Sequence, residues 1–129
     1  MVCRWYNVIV NKLDFFFECL DGKYHVNACF DEEKVNYEIE SNIDYLPSKS
    51  LQIDSKSFLE EINLANIQTW DYEYSGKGVE DACKWKVVLS LDNKQYSSKG
   101  EESFYPYNYE HLVNALVILD ENVQILFRG

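Results

Sequence analysis

Between residues 23 and 40 the chain alternates apolar and polar side chains with a period of two. Tyr24, Val26, Ala28 and Phe30 fall on one face, and His25, Asn27 and Cys29 on the other. After the turn Asp31-Glu32-Glu33-Lys34, Val35, Tyr37 and Ile39 alternate with Asn36, Glu38 and Glu40. Only extended backbone puts residues i and i+2 on one side, so these are half-buried strands. Asp21-Gly22 precedes them and follows the run "DFFFECL" at 14–20. An Asp-Gly pair suits the positive φ of a two-residue hairpin turn. Residues 4–10 are β-branched and aromatic, which predicts a further strand. Residues 4–40 therefore read as an antiparallel meander.

The period then changes. Residues 41–54, with Pro47 among polar residues, read as a loop. Over 55–66, Phe58, Leu59, Ile62 and Ala65 form a helical apolar stripe. Ser57 and Glu60 have capping-box spacing, Asp54 and Ser55 are alternative starts, and Asn66 closes the helix. "TWDYEY" and "CKWKVVLSL" alternate again. Pairing 70–74 against 83–87 would set Asp71 and Glu73 against Lys84 and Lys86. "DNKQ" is a turn, and "QYSSKG" a short strand. Pro106 leads into a helix capped near Asn108, with Tyr109, Leu112, Val113 and Leu116 on one face. Residues 122–127 read as a last strand. The fold class is α+β: one domain over 1–129, an antiparallel sheet packed by two helices.

Charge narrows the partners. The 129 residues carry 22 acids and 12 bases, a net charge of −10. The excess is spread along the chain, −6 in residues 1–64 and −4 in residues 65–129. Such a chain repels nucleic acid and anionic membranes, and it is steered toward a basic partner. A nucleic-acid mimic would space its acids like phosphates along one face, which this even spread does not suggest. No apolar run approaches bilayer length and nothing at the N-terminus resembles a signal peptide, so a cytoplasmic protein is expected.

The residues offer little catalytic chemistry. Cys3, Cys19, Cys29 and Cys83 have no CxxC spacing, and His25 and His111 are the only histidines, so no metal site is expected. Reduced thiols suit a cytoplasmic chain; a Cys19–Cys29 bond across the hairpin is the oxidised alternative. Cys29 and His25 share a strand face, the one arrangement that suggests a small Cys/His-dependent enzyme. Against it, His25 reads as a surface residue and His111 as a solvated or capping one. Adjacent acids such as Glu60/Glu61 lack the fixed, unlike environments that acid–base catalysis needs. "GKG" at 76–78 is not followed by a helix start that could cradle phosphate. No cofactor is implied, and a non-enzyme is expected. Trp70 and Trp85 are assigned to the core. Tyr105, Tyr107 and Tyr109 alternate just after Glu101 and Glu102, a composition that suits a protein interface.

Trp70, Asp81, Trp85, Val87, Leu89, Ser98, Gly100, Pro106 and Leu112 make a recognisable layout over about residues 58–116. A Trp-bearing strand is followed by an acidic turn, a W-x-V-x-L strand, a strand ending in Ser-x-Gly, and a Pro-led helix. The layout resembles small acidic bacterial α+β proteins similar to immunity proteins of toxin–immunity systems of the contact-dependent inhibition type. It departs where the more usual Asp-Gly before the W strand is Asp81-Ala82. The resemblance implies a binding protein that occludes the active site of a cognate toxin, a basic nuclease above all. Its matching residues are structural, so no functional residue carries over. From charge and aromatic content the expected toxin contacts are Glu101, Glu102, Tyr105 and Tyr107. Asp31, Glu32 and Glu33 form a second acidic patch. A scaffold domain without a tight partner is the remaining alternative.

Overall fold

A computed structural model describes residues 11–20, 22–43, 49–75, 83–101 and 104–127. The strands are β1 (Asn11–Cys19), β2 (Gly22–Phe30), β3 (Lys34–Ser41), β4 (Lys49–Asp54), β5 (Glu73–Tyr74), β6 (Lys84–Leu91) and β7 (Lys94–Glu101). The helices are α1 (Lys56–Ala65) and α2 (Tyr109–Leu119). One seven-stranded sheet runs β4-β3-β2-β1-β6-β7-β5 and is antiparallel except where β5 lies parallel to β7. This is the α+β architecture expected from the sequence, with both helices on one face. Leu13, Phe15, Phe17, Val26, Tyr37, Val87 and Leu89 point to that face and pack with Phe58, Ile62, Leu112 and Leu116.

The meander forms as its alternation predicts, but with a different turn. Cys19 pairs with Gly22, so Gly22 is the first residue of β2 rather than a turn residue. Gly22 has φ of +149°, and a Cβ there would lie 2.5 Å from Asn42 Oδ1 and 2.9 Å from Ile43 Cγ1. Glycine is thus required by close approach of β3's end as well as by its backbone angle. The expected strand at 4–10 lies outside the described residues. Three local readings are corrected. Residues 49–54 are not loop but β4, paired with β3 from Lys34↔Asp54 to Ile39↔Lys49. This edge strand carries only Leu51 and Ile53 as apolar residues, and it gets its shape from its neighbour. Residues 70–74 do not pair with 83–87. β1 occupies that side of β6, so only Glu73 and Tyr74 join the sheet, on β7. Residues 122–127 are not a strand but part of a 3-10 helix, Glu121–Phe127.

The helix ends follow the sequence more closely. Ser55, the alternative start, is the N-cap of α1, so Ser57 lies inside the helix and forms no capping box with Glu60, while Asn66, at φ 50° and ψ 50°, closes the helix in the left-handed conformation. Asn108 precedes α2, but its side chain is used for tertiary contacts: it accepts a hydrogen bond from Trp70 Nε1 at 2.8 Å and donates to Leu64 O at 3.1 Å. His111 is neither solvated nor capping. Its Nδ1 lies 2.8 Å from Glu61 Oε2, a strut between α2 and α1. Asp92 and Asn93, both at positive φ, form the two-residue turn of the β6–β7 hairpin.

The described cysteines are not reduced. Cys19 and Cys83 form a disulfide with Cα atoms 4.2 Å apart, and Cys29 is also disulfide-bonded. The β1–β6 register explains the first bond. Glu18 lies opposite Lys84, so the next residues along, Cys19 and Cys83, meet. The same logic excludes a Cys19–Cys29 bond, because Cys29 pairs with Lys12 at the far end of the β1–β2 hairpin. Seven residues of strand separate Lys12 from Cys19, about 23 Å.

Three buried phenols anchor the sheet to α2. Tyr24 donates to Asp120 Oδ2 at 3.1 Å, Tyr37 donates to the Leu119 carbonyl at 2.8 Å, and Tyr109 lies within the aromatic core. Burial raises all three pKa values above the ordinary tyrosine range, with Asp120 adding to the effect on Tyr24 and Tyr37 and Tyr105 adding to that on Tyr109. The unfolded chain therefore gives up these protons first. Stability is full below the ordinary tyrosine pKa of about 10 and falls as pH rises above it, by about 1.4 kcal/mol per pH unit for each phenol that keeps its proton in the folded protein. In an alkaline titration these tyrosinates should appear only with unfolding. Tyr24→Phe should make the loss of stability with pH shallower by about one proton's worth. An unchanged slope would mean that Tyr24 ionises in the folded protein.

Candidate functional site

No described helix covers the second face of the sheet, and its side chains form a lattice set by register. One row across β3, β2, β1, β6 and β7 reads Glu40, His25, Phe16, Lys86, Lys99. Glu73 on β5 extends it. The next row toward the β1–β2 turn reads Lys23, Glu18, Lys84, Glu101. Phe16 is the exception in polar company, a large apolar side chain left 38% exposed. It stands as a ridge between two concavities, of about 470 Å³ on its β6 side and about 500 Å³ on its β2 side.

The β2-side concavity holds His25. Its ring stacks on Phe16, with centroids 4.1 Å apart and planes 7° apart, and its Nε2 lies 2.9 Å from Asp14 Oδ1. A histidine oriented by a carboxylate is half of a nucleophilic triad, but the nucleophile expected from the sequence, Cys29, is not beside it. Cys29 is disulfide-bonded and buried, and it lies four residues from His25 along β2, about 13 Å. The Cys29–His25 enzyme expected as the alternative reading therefore has no free thiol and no contact between its two groups.

The β6-side concavity is lined by Phe16, Glu18, Glu73, Lys84, Lys86, Lys99 and Glu101. Lys86 and Lys99 are direct cross-strand partners, an arrangement that costs stability. Lys99 Nζ lies 3.6 Å from Glu73 Oε2 and 5.3 Å from the Tyr72 ring centroid. Among the described residues, Lys84 and Lys86 have no ion-pair partner. Glu101 Oε2 is sealed from solvent without a hydrogen-bond partner among the described residues.

Beneath this groove lie the residues that carried the sequence layout, and they are structural. Trp85 Nε1 donates to the Glu101 and Phe104 carbonyls at 3.2 and 3.1 Å. Ser98 Oγ donates to Asp71 O at 2.7 Å. A Cβ on Gly100 would sit 2.8 Å from the Trp85 ring and 2.7 Å from Tyr74 O. Trp70 stands edge-on to Trp85, with centroids 6.3 Å apart.

The expected contact residues do not gather in one place. Asp31 accepts backbone N–H bonds from Glu33 at 2.7 Å and Lys34 at 2.8 Å, which hold its carboxyl below the ordinary range. It builds the β2–β3 turn, with Glu32 and Glu33 exposed beside it. Glu101 lies toward the opposite end of the strands and three strands over, roughly 30 Å from Asp31 by strand spacing. Glu102 lies outside the described residues. Tyr105 stacks on Trp85 and Tyr109, with centroids 6.1 and 4.3 Å away, and so belongs to the core's edge. Tyr107 is fully exposed. Sequence reasoning missed Phe16, because the run Phe15-Phe16-Phe17 hides which ring faces out. It put Lys84 and Lys86 on the polar face but not beside Lys99.

Among the described residues no cluster of His, Cys, Asp and Glu could hold a metal ion, and no helix is long and apolar enough to cross a membrane. Set against protein-family models and curated protein sequences, the chain matches none.

Proposed function

We propose that this chain is a non-catalytic binding protein of the immunity type, which neutralises a basic toxin by covering its active site. The observation that carries the reading is charge. A net −10 is displayed on exposed acids that include Glu32, Glu33, Asp54, Glu60, Glu110 and Glu121. A field of this sign speeds encounter with a basic protein and fixes its orientation. Tyr107 supplies exposed aromatic area of the kind that anchors interfaces. Glu101, Glu102 and Tyr107 are the proposed contact residues. Glu32 and Glu33 act as steering charges at the other end of the sheet.

The test is capture of a partner on the tagged chain from its source cells, at low and high salt. The reading expects one basic protein, released by salt, that arrests growth when expressed alone and is relieved by co-expression of this chain. Glu101→Lys with Glu102→Lys should then slow association about tenfold at low salt. An unchanged on-rate removes those two residues from the interface. A captured protein that is harmless when expressed alone removes the toxin from the reading.

The disulfides bear on where the protein works. They persist in oxidising compartments and are rare in a reducing cytoplasm. They therefore support a site of action outside the reducing cytoplasm, in place of the cytoplasmic one expected from the sequence. Chain isolated under acid quench should show no free thiols; reactive thiols at Cys19 and Cys83 would restore the cytoplasmic expectation.

A further inference from the structure

We propose that the free edge of β4 is a self-association surface, on which a second copy of this chain adds its own β4 antiparallel about a two-fold axis at Gln52. The inference is independent of the toxin-binding reading and uses none of its contact residues. β4 ends the sheet, with β3 as its one neighbour in the strand order. Two hydrogen bonds fix which of its backbone groups are already used. Asn42 N–H donates to Lys23 O at 3.2 Å, so on β3 the even-numbered residues bond β2 and the odd-numbered ones bond β4. Ser55 N–H donates to Glu33 O at 3.0 Å, in register with the β3–β4 ladder. Odd-numbered residues of β4 therefore bond β3, and the N–H and C=O groups of Ser50, Gln52 and Asp54 point out of the sheet. All three residues are exposed. The edge lacks the usual protection against pairing. Its register is unbroken by a bulge, and residues 50–53 include neither proline nor charge.

The pattern of outward groups selects the partner. An antiparallel strand bonds this edge only where its own outward residues meet Ser50, Gln52 and Asp54. β4 itself supplies that pattern. With the axis at Gln52, Gln52 meets Gln52 of the second copy, and Ser50 meets Asp54 of the second copy on either side of it. Every outward residue of both copies is then paired, each pair exchanging two hydrogen bonds. Moving the axis to Leu51 or Ile53 leaves one outward residue of each β4 without a β4 partner. The same register sets Leu51 against Ile53 of the second copy, in non-hydrogen-bonded pairs with Cα atoms about 4.5 Å apart, where side chains approach most closely. Leu51 is 53% exposed in the single chain, and this contact covers it. Ile53 already packs against the core, so the apolar layer continues across the axis. Asp54 falls opposite Ser50, so no like charges are directly opposed. Such self-complementarity is what an isologous two-fold contact requires.

The test is analytical sedimentation of the oxidised full chain over a dilution series. The proposal expects a mass near 15.2 kDa at about 1 μM and near twice that at about 100 μM. Each copy carries −10, so the dimer should tighten as salt rises, the opposite of a complex with a basic toxin. Gln52→Pro removes an N–H that only the second copy uses. It should hold the protein monomeric at about 100 μM while the dilute variant keeps the wild-type circular dichroism. Gln52→Glu sets like charges against each other at the axis and should weaken the dimer about two- to fivefold. Gln95→Glu makes the same change in net charge on β7, away from β4, and should dimerise as the wild type does. If Gln52→Pro does not fold, the comparison of Gln52→Glu with Gln95→Glu decides. A chain that stays monomeric up to about 1 mM overturns the proposal. A dimer as tight in Gln52→Glu as in Gln95→Glu overturns it too, because the contact then lies on another surface.

Discussion

Replacing Cys19 and Cys83 together by alanine should lower the unfolding free energy by about 4 kcal/mol. The bond spans a sequence separation of 64 residues, and closing a loop of that size in the unfolded chain accounts for this magnitude in the chain-entropy model. Its position adds to the effect. Strands β1–β4 and β5–β7 are two local groups, and the β1–β6 pairing is the seam between them. The disulfide staples that seam at one end. Native domains are stable by only about 5–15 kcal/mol, so the loss is a large share. Denaturant unfolding of the double variant measures it, and using the variant rather than a reductant leaves the bond at Cys29 intact. A loss below about 1 kcal/mol would show that strand pairing alone holds the seam.

Trp85→Ala should cost about 3–5 kcal/mol, the range for removing a large buried aromatic. Trp85 is 2% exposed and lies at the centre of an aromatic cluster. Its ring is 6.0 Å from Tyr74, 6.1 Å from Tyr105 and 5.2 Å from Tyr109. Trp85→Phe separates two contributions. It keeps much of the ring packing but leaves the Glu101 and Phe104 carbonyls without the indole N–H, so it should cost about 1–2 kcal/mol. The measurement is again the denaturant midpoint at constant slope. A phenylalanine variant as damaged as the alanine one would mean that the hydrogen bonds, not the packing, hold the segment after β7.

Parts of the groove were legible in the sequence. Alternation in "CKWKVVLSL" puts Lys84 and Lys86 opposite Trp85 and Val87, and this is how they stand. What alternation cannot supply is the neighbour. Alternation sets Glu73 against β6, whereas it meets Lys99 on β7, because β1 returns from far away in sequence to take β6's other edge. The contact between Phe16 and His25 likewise depends on the β1–β2 register, which a turn shifted by two residues would break. Residues 31–34 form the turn their composition implies, and Asp31 is part of its construction.

Sequence alone determined the type of most elements, the inward faces of β2, β3 and β6 and the stripe on each helix. These follow from periodicity and burial, which act residue by residue. It also determined the net charge and the structural role of Trp70 and Trp85. Tertiary structure decided the strand order, the Cys19–Cys83 pairing, the conversion of 49–54 into an edge strand, and the meeting of Lys86 with Lys99 above Trp85. The physical reason is common to all four. Each depends on which non-local segments share a sheet edge, and that choice is made by the summed packing of the whole core rather than by any local preference of the residues involved.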